Sequence, residues 1–445
     1  MNTQTIESLD EMELNRKHIN ISILSAMGAF LDGYDTFIIG GALLLLKPMF
    51  HLKAAETGML GSASFLGALI GAYVFGHVSD RLGRRRMFLL TLATFGLTSI
   101  MLALSQSYTQ LLLWRFVLGV AIGADLPINA AVIAEFSPKK YRGRLTAMII
   151  IFLFAGGIFA NVVAMILYNI GGIIAWRWMF LSGVIPAVIV LFLRRSIPES
   201  PRWLLKAGKS KEADAVVTIL KGDRKLSFDP LKSIRLSSEQ SKYSAIFQNG
   251  YLRSTVIVSV VWFLLNSMSS SFTMYTPVIF KAFGLISDLK SLEFAVITQS
   301  ITLIITVVAA FNIDRLGRRK TLNILMIGTI IGALILLIQQ MAHLQPPAVL
   351  VVGVALAQGT LGASGIVMMV LAVESFSTEI RATAEGFAIG SNKVGAYIGT
   401  LAVPVLLAFG GIVSMMTIVI AVALIAMILA ALLRQDRSKI ALEER

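Results

Sequence analysis

The chain has no cysteine, which excludes disulfides, thiolate nucleophiles and cysteine-ligated metals. Histidine is almost as scarce. Four scattered residues with no HExxH pair offer no metal site. Charge is thin, at 14% of residues against 56% hydrophobic, and a soluble fold has no use for so large an apolar share. Acids are outnumbered by bases, 25 to 39, for a net charge of +14. The bases sit in short loops between apolar runs rather than on one phosphate-binding face, so no nucleic-acid partner is expected. An apolar leader is also missing: Glu7, Asp10, Glu11 and Glu13 precede Arg16 and Lys17, so no cleavable signal peptide is expected. No nucleophile constellation, metal cluster or phosphate loop is legible, so neither an enzyme nor a cofactor is expected.

What fills the chain is apolar runs of about twenty residues, enough to cross a bilayer. They fall near 20–46, 56–78, 87–105, 109–133, 145–169 and 175–194, then 251–280, 291–312, 320–341, 346–372, 382–408 and 411–433. The sequence therefore predicts an all-α integral membrane protein of about twelve transmembrane helices in two six-helix halves. The expected division is a tail at 1–19, a half at 20–194, a central loop at 195–250, a second half at 251–433 and a tail at 434–445. Lysine and arginine concentrate on the side of the tails and central loop, which predicts that both termini are cytoplasmic. The central loop reads as a solvated linker with surface helices, one of them amphipathic from Lys206 to Leu220.

Two echoes mark an internal duplication. Ser79-Asp-Arg-Leu-Gly-Arg-Arg-Arg86 returns as Ile313-Asp-Arg-Leu-Gly-Arg-Arg-Lys320, and the spacing of Glu135 and Arg142 is repeated by Glu374 and Arg381. Such repeats in a membrane chain point to two halves packed around a central path. Topology alone explains the arginines but not the acids paired with them. Asp80, Arg81, Arg85, Glu135, Arg142, Asp314, Arg315, Arg319, Glu374 and Arg381 are therefore expected to form a cytoplasmic gate of charge pairs that part and re-form.

Ionisable groups inside spans are costly and face a bundle interior or a water-filled cavity. Span one carries Asp32 and Asp35 three residues apart, hence on one helix face, as candidates for proton coupling or for structural bonds near Gly33. Arg115, entering span four, needs a partner, and Asp35 is the candidate. Gly119 and Gly123 give span four a face for close contact, and Asp125 beside Pro127 is either a site acid or a structural one. Span seven reads Trp262-Phe-Leu-Leu-Asn266, then serines including Ser270, Thr273, Tyr275 and Pro277, which fits a discontinuous helix lining a polar cavity or serine-mediated helix contact. In span eleven, Asn392 and Lys393 offer an amide and a rare buried cation, for an anion or for an acid of span one.

These residues resemble the major facilitator superfamily over essentially the whole chain. The two Asp-Arg-Leu-Gly-Arg-Arg loops look like its signature loop, and Pro198-Glu-Ser-Pro-Arg-Trp-Leu204 looks like the motif of its sugar-porter branch. The resemblance implies a proton-coupled symporter working by alternating access of two six-helix halves, with small-molecule substrate and protons as partners, functional as a monomer in the plasma membrane. It also implies that Asp35 pairs with Arg115. Where sugar porters carry a glutamine pair in span seven, this chain has Leu264 and Leu265, and Ser364 and Met369 stand where tryptophans are expected. Phosphate–proton symporters are similar at Asp32 and Asp35, at Gly123 to Pro127, at Trp262 to Leu265 and at Asn392 to Gly395, but differ at Asn266 and Ser270. Organic-acid symporters place a basic residue near Lys393. The expectation is a small anionic metabolite, an organic acid or phosphate, bound by Lys393, Trp262, Asn266, Asn392, Ser270, Tyr275 and Asp125. A sugar or sugar-acid symporter and an exporter of the same fold are the alternatives.

Overall fold

The computed structural model describes residues 12–138, 141–221, 246–247, 251–283, 287–342, 346–376 and 381–432. All regular structure among them is helical. Helices α1 (Arg16–Met49), α2 (Ala54–Leu82), α3 (Arg84–Leu104), α4 (Tyr108–Phe136) and α5 (Arg142–Gly171) are spans one to five. Span six is α6 (Ala175–Ser182) followed by α7 (Val184–Arg194). In the central loop lie α8 (Pro201–Lys206) and α9 (Ser210–Lys221). Spans seven to ten are α10 (Leu252–Ala282), α11 (Asp288–Leu316), α12 (Arg318–Met341) and α13 (Pro347–Glu374). The long α14 (Arg381–Leu432) holds spans eleven and twelve, broken at Gly411. Ten stretches are long and apolar enough to cross a membrane, and two of them, Arg144–Arg194 and Gly386–Leu432, fold back once, which gives the expected twelve crossings. Their outward side chains, among them Leu97, Ile304, Phe311 and Ile428, are exposed and apolar, as a surface meant for lipid requires.

The duplication is written in the backbone. Gly83 and Gly317, the glycines of the two basic loops, share one conformation, φ/ψ 95°/152° and 84°/152°, which essentially only glycine adopts. Gly172 and Gly411 each turn the chain back with φ of 56° and 59°. Both follow a glycine and precede an isoleucine, and they lie as far apart in sequence as Glu135 and Glu374.

Close backbone contact organises each half in the same way. A Cβ on Gly33 would come 1.9 Å from the Leu153 carbonyl oxygen, and one on Gly399 would come 1.8 Å from that of Ser267. These glycines press α1 onto α5 and α10 onto α14, corresponding pairs of the two halves. Between α2 and α4, Gly119 and Gly123 meet the carbonyls of Ser64 and Ala68. Without a hydrophobic drive between helices in lipid, such close approach supplies the packing.

The halves meet at the end remote from the termini, called distal here; the opposite end is the basic end. A Cβ on Gly40 would collide with the Met274 carbonyl, and one on Gly58 with that of Leu401. Tyr275 donates to the carbonyl of Thr400 within its own half at 3.1 Å, and reaches that of Thr57 in the other at 3.4 Å. Tyr168 of α5 donates to Asp288 of α11 at 2.9 Å, and Lys281 binds the same carboxylate at 2.7 Å.

Two expectations change. The span-seven helix is continuous. Pro277 cannot donate a backbone bond, yet the helix runs unbroken from Leu252 to Ala282 with the proline inside it. The start of the central loop is also more than a solvated linker. Val216, Val217 and Leu220 pack with Met87, Ile128 and Phe136. Asn15 and Lys17 donate to the terminal carbonyls of α9, at Leu220 and Ile219, which a helix end otherwise leaves unpaired. Asn15 also caps α1 through the backbone N–H groups of Lys17 and His18.

Candidate functional site

Asp32 lies midway along α1, and the two acids of that helix point to different bodies. Asp35 accepts from Arg115 Nη1 at 2.5 Å, and Arg115 Nη2 donates to Ser64 at 2.9 Å, so α1, α2 and α4 are tied inside the first half. Arg115 is fully buried and the Asp35 side chain is 3% exposed. Asp32 instead faces the second half: its Oδ2 stands 4.0 Å from Lys393 Nζ on α14, with side chains 8% and 13% exposed. Thr36, one turn on, donates to Oδ1 of Asp32 at 3.4 Å.

Around Lys393 the polar groups of α10 and α14 engage one another. Asn266 Nδ2 donates to the backbone carbonyl and to Oδ1 of Asn392, at 3.0 and 2.9 Å, and Ser270 donates to Asn266 Oδ1 at 3.1 Å. The serines of α10 bond back to their own helix, Ser267 to Leu264 and Ser271 to Ser267. Trp262, one turn toward the basic end from Asn266, is buried. Tyr275 is fully buried at the distal seam, its hydroxyl spent on the bonds described above, so the structure places it in the contact between halves rather than among the residues near Lys393.

Of the two readings open for Asp125, a site acid or a structural one, its bonds favour the structural one. Arg194, at the end of α7, donates Nη1 to Asp125 Oδ1 at 2.7 Å and Nη2 to Asn129 and to the Ser25 carbonyl. Thr91 and Asn129 donate to the same carboxylate. A carboxylate so completely bonded has no capacity left for a substrate. Sequence reasoning missed Arg194 because an arginine at a span end reads as topology. The signal was there in a mid-span acid without a cation to match it. It also missed the buried chain in the second half in which Gln358 donates to Gln299 and accepts from Thr276.

Of the expected gate, Arg85 is described most fully. Its backbone N–H donates to Glu199 at 3.2 Å and Nη2 to the Arg195 carbonyl at 3.1 Å, so it clasps the segment that follows span six. Glu135 is half-buried at the end of α4, and Arg315 and Arg319 are exposed. The side chains of Asp80, Arg81, Arg142, Asp314, Glu374 and Arg381 lie outside the described set. A separate groove of about 340 Å³, lined by Met59, Leu113, Phe116 and Tyr397, faces the lipid side of α2, α4 and α14 and holds none of these charges. Among the described residues no cluster of metal-ligating side chains occurs.

Comparison with known proteins places this geometry. The family model described as "Sugar (and other) transporter" matches residues 21–435. The arabinose-proton symporter of Bacillus subtilis (strain 168) is 32% identical over 316 residues, covering 69% of this chain and 68% of that protein. The inner membrane metabolite transport protein YgcS of Escherichia coli (strain K12) is 28% identical over 426 residues, 92% and 89% of the two chains. Among solved structures, the xylose transporter XylE from E. coli in a partially occluded inward open conformation superposes with a TM-score of 0.77 at 20% identity, covering 92% of this chain and 98% of that one.

Proposed function

This chain belongs to the sugar (and other) transporter family, a multi-pass membrane transporter of the major facilitator fold and not an enzyme, and on that premise we propose that it carries a small anionic metabolite together with protons. One observation carries the reading. Lys393 sits inside a stretch long and apolar enough to span a membrane, and among the described residues its counter-charge is Asp32, which belongs to the other half and stands at 4.0 Å, beyond direct hydrogen-bond contact. A lysine at such depth costs about 3 kcal/mol to insert, and a merely structural pair would be expected to close to hydrogen-bond distance. A loosely held cation between two moving halves suits a carboxylate or phosphate that binds in one state and leaves in the other. Trp262 and the Asn266–Asn392 pair would shape that site, and the charge pairs of the basic end would close it.

Proton-coupled sugar transport is the second reading. The arabinose-proton symporter supports it, as does the uncharged Gln299–Gln358–Thr276 chain. The two readings separate in proteoliposomes under an inward proton gradient. Phosphate, succinate, gluconate and D-xylose are offered to the wild type and to Lys393→Ala. Accumulation of an anion that is lost in the variant upholds the first reading. Accumulation of D-xylose alone, undisturbed by the variant, replaces it with the second.

A further inference from the structure

We propose that Asn161 of α5 and Gln299 of α11 together bind a hydroxyl of the transported molecule and so select cargo that carries one. For its substrate class the inference rests on the anion reading above, and it narrows that cargo to hydroxylated carboxylates. The two amides lie on the seam between the halves and are independent of Lys393.

Three rungs fix the register of that seam. Tyr168 donates to Asp288. A Cβ on Gly41 would touch the side chains of both Ala164 and Leu292, and one on Gly362 those of both Phe154 and Thr302. From the distal end, α5 steps back by four and then ten residues between rungs, and α11 advances by the same four and ten. Asn161, midway between Tyr168 and Phe154, therefore stands opposite Ala295, midway between Asp288 and Thr302. Steps of seven residues are close to two turns, so each set stays on one helix face. Ala295 is small, and Gln299 follows it by one turn on the same face. The seam thus brings an amide from each half to one stretch.

Both amides end in unspent bonding capacity. Asn161 is 2% exposed and Gln299 fully buried, and among the described residues Asn161 Oδ1 and Gln299 Nε2 have no hydrogen-bond partner. The rest of Gln299 is held. Its Oε1 accepts from Gln358 Nε2 at 2.8 Å, and Gln358 Oε1 lies 2.9 Å from the Thr276 hydroxyl. Gln299 is left with an N–H to give, and Asn161 with an oxygen to receive. A hydroxyl satisfies both, whereas a carboxylate only accepts and an ammonium only donates.

Depth brings this pair near the Lys393 group. Fifteen residues of α10 separate Lys281 from Asn266, and eleven of α11 separate Asp288, the partner of Lys281, from Gln299. At about 1.5 Å per residue, Gln299 stands roughly 6 Å nearer the distal end than Asn266. That difference is no greater than the length of a small hydroxy acid. Because the amides belong to different halves, one hydroxyl bonds both only while the seam is closed. Hydroxylated cargo thereby gains a contact on closure that its deoxy analogue lacks.

The test measures uptake by the full-length protein in proteoliposomes under an inward proton gradient. The probes are malate with succinate and lactate with propionate, pairs that differ by one hydroxyl, and gluconate and D-xylose beside them. The wild type is expected to prefer the hydroxylated member of a pair by about tenfold or more, because a site built to bond a hydroxyl rejects the analogue without it. Gln299→Leu and Asn161→Leu are each expected to remove about tenfold of that preference. A merely structural loss would slow both members alike and leave the ratio unchanged. Where gluconate or D-xylose alone is carried, KM decides: a rise of about tenfold in Gln299→Leu upholds the pair, and an unchanged KM overturns it. Equal uptake of both members by the wild type, a ratio unmoved in both variants, or no uptake of any hydroxylated probe also overturns the inference. Malate and succinate taken up equally would leave the anion reading standing without the hydroxyl site. D-xylose carried in the absence of any anion would end the anion reading, with the pair still judged by KM.

Discussion

Arg194 reaches Asp125 at 2.7 Å through space that a side chain at residue 28 would occupy. A Cβ on Gly28 would stand 1.9 Å from Asp125 Oδ2, 2.2 Å from Arg194 Nη2 and 2.5 Å from Asn129 Nδ2. Three helices converge there, and the glycine of α1 is what lets α4 and α7 join across it. Gly28→Ala is expected to destabilise the protein by about 1–3 kcal/mol, the usual cost of overpacking. Arg194→Leu is expected to cost about 3–5 kcal/mol, because Asp125 would be left buried without its cation. Thermal unfolding in detergent measures both, and Arg194→Leu combined with Asp125→Leu should recover part of the loss. Additive losses in the double variant would mean that the two side chains do not act as a pair.

The distal clasp predicts a shift in state rather than in stability. Tyr168 and Asp288 join α5 to α11 across the two halves, and a hydrogen bond to a charged group is worth about 1.5–3 kcal/mol. Removing it with Tyr168→Phe should move the equilibrium toward distal opening about tenfold or more. The chain has no cysteine, so Met274→Cys, buried at the distal seam, can be labelled against a blank background. Its reaction with a membrane-impermeant maleimide applied from the distal side should quicken in the Tyr168→Phe background. An unchanged rate would mean that the clasp does not govern opening.

Asn266 should act on substrate affinity through its hold on Asn392. Its amide holds both the backbone carbonyl and the side chain of Asn392, the residue before Lys393. Asn266→Ala leaves half-buried acceptors of Asn392 unpaired, at no more than about 1–3 kcal/mol, and should raise KM with little change in kcat. Asn266→Asp replaces the donor with an acceptor and should be worse than alanine. Equal, near-wild-type KM values for the two would place the amide outside the path that positions Lys393.

The loop glycine should resist replacement for two separate reasons. Gly83 occupies a conformation reserved for glycine, and a Cβ there would also stand 2.6 Å from Glu199 Oε2. Gly83→Ala is therefore expected to release the contact between the Arg85 loop and the Glu199 segment. Proteolysis near Arg195 read against the wild type checks this, and unchanged protection would show that the contact survives.

Crossings, duplication and the identity of the mid-membrane charges were all open to sequence reading, because length, hydropathy and repeated motifs report them directly. Pairings were legible only in part. Asp32 and Asp35 share a helix face by spacing, but three residues leave roughly 60° between them, enough to send one to α14 and the other to α4. Which neighbour each meets depends on how the helix is rotated in the bundle, and one sequence does not record that. Arg194 was hidden for a related reason: an arginine at a span end looks the same whether it faces water or folds back onto a buried acid. The serines and Pro277 of α10 suggested a broken helix because a proline costs a backbone bond, whereas one lost bond in a helix that runs from Leu252 to Ala282 does not break it.

The turns at Gly172 and Gly411 leave almost no slack at the distal end. There the chain doubles back within each half, and no covalent segment runs from one half to the other. That connection, residues 195–250, leaves α7 at the basic end and enters α10 at the same end. The molecule is therefore hinged like tongs whose handles are tied and whose tips are free. Distal closure depends wholly on reversible contacts such as Tyr168 with Asp288, each worth no more than a few kcal/mol. Thermal motion can part such contacts without stretching a single loop.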